Sequence, residues 1–326
     1  MTVARVRVVR ALLHASLLFT PGPAARLIRR RFAALGAAAN RALEDRAPDD
    51  VEWWFDEHYG SRRDERFDLY RPFDPDGARP ALPTVVWVHG GAFVGGAKEH
   101  LRGWSCLLAS RGFVVVAPGY SRAPEAGYPE PVQQVVDLLA FLARERVRLG
   151  SDPNRVVLAG DSAGAHIAAQ AAACLSDEQY AEAVGVEVVA GTAPPVGTVL
   201  CCGPYDLALA RPDGPFGDFL NAVLWSYSGN RAWATSRDFA PWSVVRSVTP
   251  SFPPAFLTVG NADPLAPHTT ALADALAAQG VEVDTVTFAA DHEPALGHEY
   301  QFDLALDDAR ATFERIVEFA RRVTRV

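Results

Sequence analysis

From residue 51 onward the chain alternates short apolar runs with longer stretches whose apolar positions recur at helical spacing. Residues 51–55 and 66–70 read as early strands. Residues 84–88 and 113–116 are continuous apolar runs of the kind found in strands buried on both faces. Further strands are expected at 156–158, 198–200, 255–259 and 281–288, with helices over 132–149, 163–174 and 305–322. Strand and helix in turn predict an α/β protein: a mostly parallel sheet with helices on both faces. No internal repeat and no low-complexity linker interrupts this rhythm. One stretch does break it. Residues 203–250 carry Phe216, Phe219, Trp225, Tyr227, Trp233, Phe239 and Trp242. An insertion of that length in a compact domain is extra core or a lid over a site, and a lid is favoured because long inserts tend to be functional.

The first 50 residues follow a different pattern. Pro21-Gly22-Pro23 splits two amphipathic stretches, and the second places Ile28, Phe32, Leu35 and Ala39 on one helix face. That face must cover something apolar. The resulting division is an N-terminal helical segment (1–50), expected to act as a cap, and a single domain (51–326) whose 203–250 insertion joins the cap.

Charge sharpens the division. The 326 residues sum to −8, yet residues 1–43 hold eight arginines and no acid, so the remaining 283 residues stand at −16. An acidic body argues against nucleic acid as a partner, because phosphate binding calls for a basic surface. The basic start admits three readings. Arg5, Arg7 and Arg10 ahead of an apolar run at 11–19 resemble an export signal, but His14 interrupts the run and Pro21-Gly22-Pro23-Ala24-Ala25 is a poor cleavage site. The run is too short to span a bilayer, which takes about 20 residues. Peripheral membrane contact through the arginines is the second reading. An ordinary surface helix in a cytoplasmic protein is the third and is preferred. Cys106, Cys174, Cys201 and Cys202 form no C-x-x-C pair and read as reduced core residues. Thirty arginines stand against a single lysine, Lys98, a bias without chemical content.

The chemistry begins at Gly160-Asp161-Ser162-Ala163-Gly164, which follows a strand and opens a helix. Small residues there allow a sharp strand-to-helix turn that raises the serine hydroxyl above the sheet edge. The helix N-terminus behind it favours developing negative charge. Earlier, Val88-His89-Gly90-Gly91-Ala92-Phe93 ends another buried strand. A serine hydrolase needs N–H donors aimed at its oxyanion, and glycines turn their amides into a site without a side chain in the way. Gly90, Gly91 and Ala163 are the candidate donors. His89 reads as a structural hydrogen-bonding residue of that loop, His166 as packed beneath the turn, and Asp161 as a neighbour of the nucleophile.

His89-Gly90-Gly91 together with Gly160-Asp161-Ser162-Ala163-Gly164 resembles the hormone-sensitive-lipase-like branch of the α/β-hydrolase esterases. Gly119-Tyr120-Ser121-Arg122-Ala123-Pro124-Glu125 with Tyr128-Pro129 is similar to another segment of that family, departing from it at Gly119 and Ser121. The resemblance spans roughly residues 66–323 and implies an eight-stranded sheet, an N-terminal helical cap and a triad in the order serine, acid, histidine. Asp263-Pro264-Leu265 matches the family's acid loop. Of the histidines that follow, His268 lies too close in sequence to reach a different strand's end. His298, in Leu296-Gly297-His298-Glu299-Tyr300, fits the family's setting for the base better than His292, which stays as the alternative.

The expected protein is a serine carboxylesterase acting on small-molecule esters of short to medium acyl chains, needing no metal and no organic cofactor. Phe93, Trp104 and Trp225 are expected to line its pocket, and the chain to be a monomer or homodimer. A formamidase or prenylcysteine-methylesterase-like hydrolase on the same triad is the alternative. A non-catalytic ligand receptor on a hydrolase scaffold is a remote third reading, disfavoured because no member of the triad is missing.

Overall fold

The computed structural model describes residues 17, 19–77, 81–214 and 216–325. Residues 1–16 and 18, which hold most of the signal-like stretch and of the first amphipathic stretch, lie outside the described residues. The strands are β1 (Val51–His58), β2 (Arg66–Pro72), β3 (Leu82–Val88), β4 (Val114–Pro118), β5 (Ser151–Asp161), β6 (Gly197–Cys201), β7 (Ala255–Thr258) and β8 (Val283–Val286). They form one sheet in the order β1-β2-β4-β3-β5-β6-β7-β8. β2 pairs antiparallel with both β1 and β4, and the remaining pairs are parallel.

Successive strand residues point to opposite faces, so each apolar run feeds two cores at once. Val86, Val88, Val114, Val116, Leu158, Leu200 and Leu257 enter one, beneath the helices Glu130–Arg144 and Ala163–Ser176. Val85, Trp87, Val115, Ala117, Val157, Ala159, Val199 and Phe256 enter the other, with Trp104 of the helix Arg102–Ala109 and with Phe313, Ile316 and Phe319 of the helix Asp307–Thr324. This double burial is why the central strands read as unbroken hydrophobic runs. The helix expected over 132–149 is divided at Glu145 into Glu130–Arg144 and Arg146–Leu149, and Gly150 ends the second piece in the left-handed conformation.

Most of the aromatics of residues 203–250 prove to be core. Tyr227, Trp233, Phe239 and Trp242 are fully buried with the first cluster, whereas Phe216 and Phe219 stay exposed. Aromatic density here fills space over the helix Ala163–Ser176: Tyr227 stacks on Phe93 at 4.2 Å and Trp242 stacks on His166 at 4.2 Å.

The second basic stretch is the helix Gly22–Glu44, with Pro23 in its first turn where a missing N–H costs nothing. The side that lies along the segment after β3 carries Phe32, Gly36 and Asn40, while Leu35 and Ala39 of the expected apolar face are exposed. Phe32 approaches Gly95, Gly36 approaches His100, and Asn40 accepts the Gly103 amide at 3.0 Å. Arg29 ties the helix down: its guanidinium donates to the Val94 carbonyl at 2.6 Å and the Ala123 carbonyl at 2.7 Å, and pairs with Glu125. Phe32 also meets Phe219 edge to face, and Trp225 is half-buried where the helix Gly217–Ser228 touches Ile28 and Ala24. No helix of the described residues is long and apolar enough to cross a membrane.

The single lysine is buried. Lys98 sits 2.5 Å from Asp68 of β2, itself wholly inaccessible, with Asp56 and Glu99 at 3.1 and 3.2 Å. Burial alone would make the ammonium easier to lose, but the facing carboxylates outweigh it and raise its pKa. Breaking one half of such a pair leaves an uncompensated buried charge. Lys98→Met should therefore cost about 3–5 kcal/mol in urea unfolding, and Lys98→Met with Asp68→Leu should recover much of that loss. A single variant within about 1 kcal/mol of wild type, the scale of an exposed pair, would show that the buried pair does not hold this corner of the sheet.

Candidate active site

The site residues gather at the carboxyl ends of the parallel strands, where ligands of open α/β sheets bind. β5 ends at Asp161, and Ser162 follows with φ 52° and ψ −121° before the helix Ala163–Ser176 begins. A non-glycine residue in this region costs about 1–3 kcal/mol and persists only where its surroundings dictate it. The surroundings here are two glycines. A Cβ on Gly160 would lie 2.6 Å from the backbone of Gly164, and one on Gly164 would overlap the Val88 carbonyl of β3. The turn can close this tightly against β3 only without those side chains.

Ser162 Oγ lies 2.9 Å from Nε2 of His298, and Nδ1 of His298 lies 2.8 Å from Oδ2 of Asp263. A carboxylate only accepts, so Nδ1–H donates to Asp263, and Nε2 is left to accept the serine proton. Asp263 is fixed in turn, its Oδ1 accepting the Leu265 amide at 2.8 Å. These three groups come from the ends of β5 and β7 and from the loop after β8. His292 is not brought there: its Nε2 lies 3.0 Å from Asp308, and its ring packs on Phe288.

Burial would lower the His298 pKa, but the adjoining Cys202 thiol, the Asp263 carboxylate and Glu299 outweigh it and hold it well above 6.5. The other buried histidines do the reverse. Burial pulls His89 and His166 down to about 3 and His268 to about 4, so they are neutral and structural at ordinary pH. His89 holds the Gly90 carbonyl and stacks on Tyr120, His166 donates to the Trp242 carbonyl, and His268 accepts the amides of Tyr205 and Asp206.

Three expected site residues are corrected. The Gly90 amide is already given to Asp161, at 2.8 Å, and cannot face a substrate oxyanion. The cause is that Asp161 is a buried carboxyl group, its pKa raised by burial and by the neighbouring Glu299, whose oxygens need donors and find them in Gly90 and in Trp87 Nε1 at 2.9 Å. The amides of Gly91 and Ala163 have no such acceptor among the described residues, Ala163 because it opens its helix. Phe93 and Trp104 do not line a pocket. Phe93 is 2% exposed, with Tyr227, His166 and Trp242 around its ring. Trp104 lies in the core on the sheet's other face, enclosed by Trp87, Phe302 and Phe313. Both rings are apolar enough to be claimed by whichever cavity is nearest, and here that is the protein interior.

Other features carried no signal in the sequence. Of the seven non-glycine residues with positive φ among those described, Ser162, Cys202 and Glu299 lie at this site, and Ala92 and Phe93 follow Gly91 in the chain. Strain of this kind concentrates where function requires a fixed geometry. Arg29, read only as one charge among eight, anchors the helix Gly22–Glu44 to Val94, just past the Gly91 loop.

With this geometry in view, the chain can be placed. Residues 85–293 match the α/β-hydrolase fold family, and the chain belongs to it. It is 30% identical to Esterase LipC of Mycobacterium tuberculosis over 274 residues, covering 82% of this chain and 64% of that protein. It is 38% identical to a probable isoprenylcysteine alpha-carbonyl methylesterase of Oryza sativa over 115 residues, which is 34% of this chain and 25% of the relative. The chain thus spans from a quarter to just under two thirds of these curated relatives. In structure it is similar to esterase B from Lactobacillus rhamnosis, with a TM-score of 0.78, 25% identity, and 93% of this chain and 96% of that one covered.

Only neutral imidazole can accept a proton, and a raised pKa keeps the ring protonated to higher pH. Histidine-selective NMR should accordingly show His298 titrating above 6.5, its ordinary value, and Asp263→Asn should lower that midpoint. A midpoint unmoved or raised in the variant would mean that the carboxylate does not hold the imidazolium.

Proposed function

We propose that this chain is a serine carboxylesterase working through an acyl-enzyme. Its main support is the unbroken relay from Asp263 through His298 to Ser162, at 2.8 and 2.9 Å. Ser162 Oγ attacks the ester carbonyl while His298 takes its proton, and Asp263 orients the ring and stabilises the imidazolium. The oxyanion forms at the amino end of the helix Ala163–Ser176, where the amides of Gly91 and Ala163 receive it, each such donor being worth about 10²–10³ in rate. His298 then protonates the departing alcohol, and water activated by the same ring releases the acid.

The helix Gly22–Glu44 and the segment around Gly217–Ser228 form the cap in this reading, supported by the Arg29 anchor and the Phe32–Phe219 contact. Trp225, half-buried where the two meet, is the aromatic candidate left to meet an acyl chain, and esters of short to medium chains are the expected substrates. We further read the protein as a cytoplasmic monomer or homodimer without a nucleic-acid partner. Its four free thiols fit a reducing compartment. Arg26, Leu27, Arg30 and Arg31 on the exposed side of the N-terminal helix suit peripheral contact with an anionic membrane surface.

A second reading, a prenylcysteine-methylesterase-like or formamidase activity on the same triad, is favoured by the 38% identity with the rice methylesterase across 115 residues. Rates on p-nitrophenyl acetate, butyrate and octanoate, a prenylcysteine methyl ester and N-formylkynurenine separate the two. The p-nitrophenyl esters should be turned over fastest. Ser162→Ala should lower the rate by about 10⁵–10⁶-fold and His298→Ala comparably, since triad members act as a unit. His292→Ala should keep most of the rate. Hydrolysis of none of these esters would end the esterase reading, and loss confined to His292→Ala would transfer the base to that residue.

A further inference from the structure

None of the steps above uses Cys202. It follows β6 directly, adopts φ 45°, gives its backbone N–H to the Thr258 carbonyl at 2.8 Å, and is 1% exposed. Its thiol lies against His298. The Cys202 sulfur, a carboxylate oxygen of Asp263 and a ring nitrogen of His298 all lie within 4.8 Å of one another, the one such grouping of His, Cys, Asp and Glu among the described residues. Thiolate, imidazole and carboxylate are a zinc ligand set, and three protein ligands leave a fourth position for water. With metal–ligand bonds of 2.0–2.3 Å, the ligand atoms of a tetrahedral site stand about 3.4–3.7 Å apart, so modest side-chain movement closes this group around an ion. The His298 side chain is 35% exposed, which gives an ion a route to the two buried ligands.

We propose that Cys202, Asp263 and His298 form an inhibitory site for a thiophilic divalent cation, Zn²⁺ or Cd²⁺. The inhibitory part rests on His298 being the general base, as argued above. Formation of the metal–sulfur bond releases the thiol proton to solvent. Neutral imidazole gives the cation the lone pair of one ring nitrogen and carries its proton on the other; where the cation takes Nδ1, the nitrogen beside Asp263, the ring proton moves to Nε2 and the Asp263 oxygen it leaves turns to the cation. No electron changes hands. An imidazole whose lone pair is held by a cation has none for the Ser162 proton, whichever ring nitrogen is used, so attack on the ester stops. A serine triad without this thiol offers a cation only two of the three ligands. The softest and most selective ligand is the one the proposed hydrolysis does not use.

Cd²⁺ is the probe, because its thiolate bond gives an ultraviolet charge-transfer absorption that reports binding without catalysis. In a Cys106→Ser background, which removes the half-exposed thiol, one Cd²⁺ per chain should produce that absorption. It should release one proton at a pH where His298 is neutral, and stop ester hydrolysis until EDTA is added. Cys202→Ser and Cys202→Ala should lose the absorption. Relative to their own uninhibited rates, they should need at least about 100-fold more Cd²⁺ for half-inhibition, beyond the 10–100-fold typical of losing a supporting group. The absorption and proton release are read on protein with Cys202 in place and stand even where a Cys202 variant fails to fold. Absence of the absorption, absence of proton release, or equal inhibition of the Cys202 variants would overturn the site. If no ester is hydrolysed but Cd²⁺ binds as described, the esterase reading fails and the metal site survives; normal hydrolysis without Cd²⁺ binding reverses that outcome.

Discussion

The left-handed turn at Ser162 is the constraint on which the remaining structure depends. β5 must end, reverse its direction into a helix and hold a hydroxyl clear of the sheet within a few residues. It does so because Gly160 and Gly164 let the turn press against the Val88 carbonyl of the neighbouring strand. The strain at φ 52° is small beside the burial around it. The helix Ala163–Ser176 is inaccessible along almost its whole length, from Ala163 to Cys174, and the turn cannot relax without lifting it. With the hydroxyl fixed, the ends of β3 and β7 and the loop after β8 need only deliver amides, a carboxylate and an imidazole to one point.

The other parts brace that point from outside. Asp161, buried beside Ser162, holds both Trp87 and the Gly90 amide, so the strand that carries the serine also fixes the loop that faces it. Arg29 clamps the N-terminal helix across the same loop through the Val94 and Ala123 carbonyls. A little further along the chain, Lys98 pins the loop's exit to the buried Asp68 of β2. The +8 leading segment and the −16 body are therefore joined through particular side chains next to the site, and Arg29–Glu125 is a pair made across that division.

Much of this was legible in the residues because the signals were local and periodic. Continuous apolar runs marked the strands buried between two layers of helices, and alternate residues along them do enter opposite cores. Gly160-x-Ser162-x-Gly164 specified its own turn, since the spacing is the geometry. What failed depended on distant neighbours. Gly90 was expected to face the oxyanion, but Asp161, seventy-one residues away, takes its amide. Phe93 and Trp104 were expected in the pocket, yet aromatic content does not tell which side of a strand or loop will be enclosed. The same blindness turned the 203–250 aromatics into an expected lid when most of them pack as core. Cys202 left no trace beyond its position, because its importance comes from a contact with His298 made ninety-six residues later in the chain.

The central claim is that Ser162 is a nucleophile activated by the His298–Asp263 relay. Mass spectrometry after brief exposure to a fluorophosphonate tests this most directly, since the reagent captures an activated serine without needing a suitable substrate. One adduct per chain on the peptide carrying Ser162, formed rapidly in wild type and at least about 10³-fold more slowly after His298→Ala, is the expected result. Wild-type protein that stays unlabelled while folded, or that is labelled equally fast without His298, would contradict it.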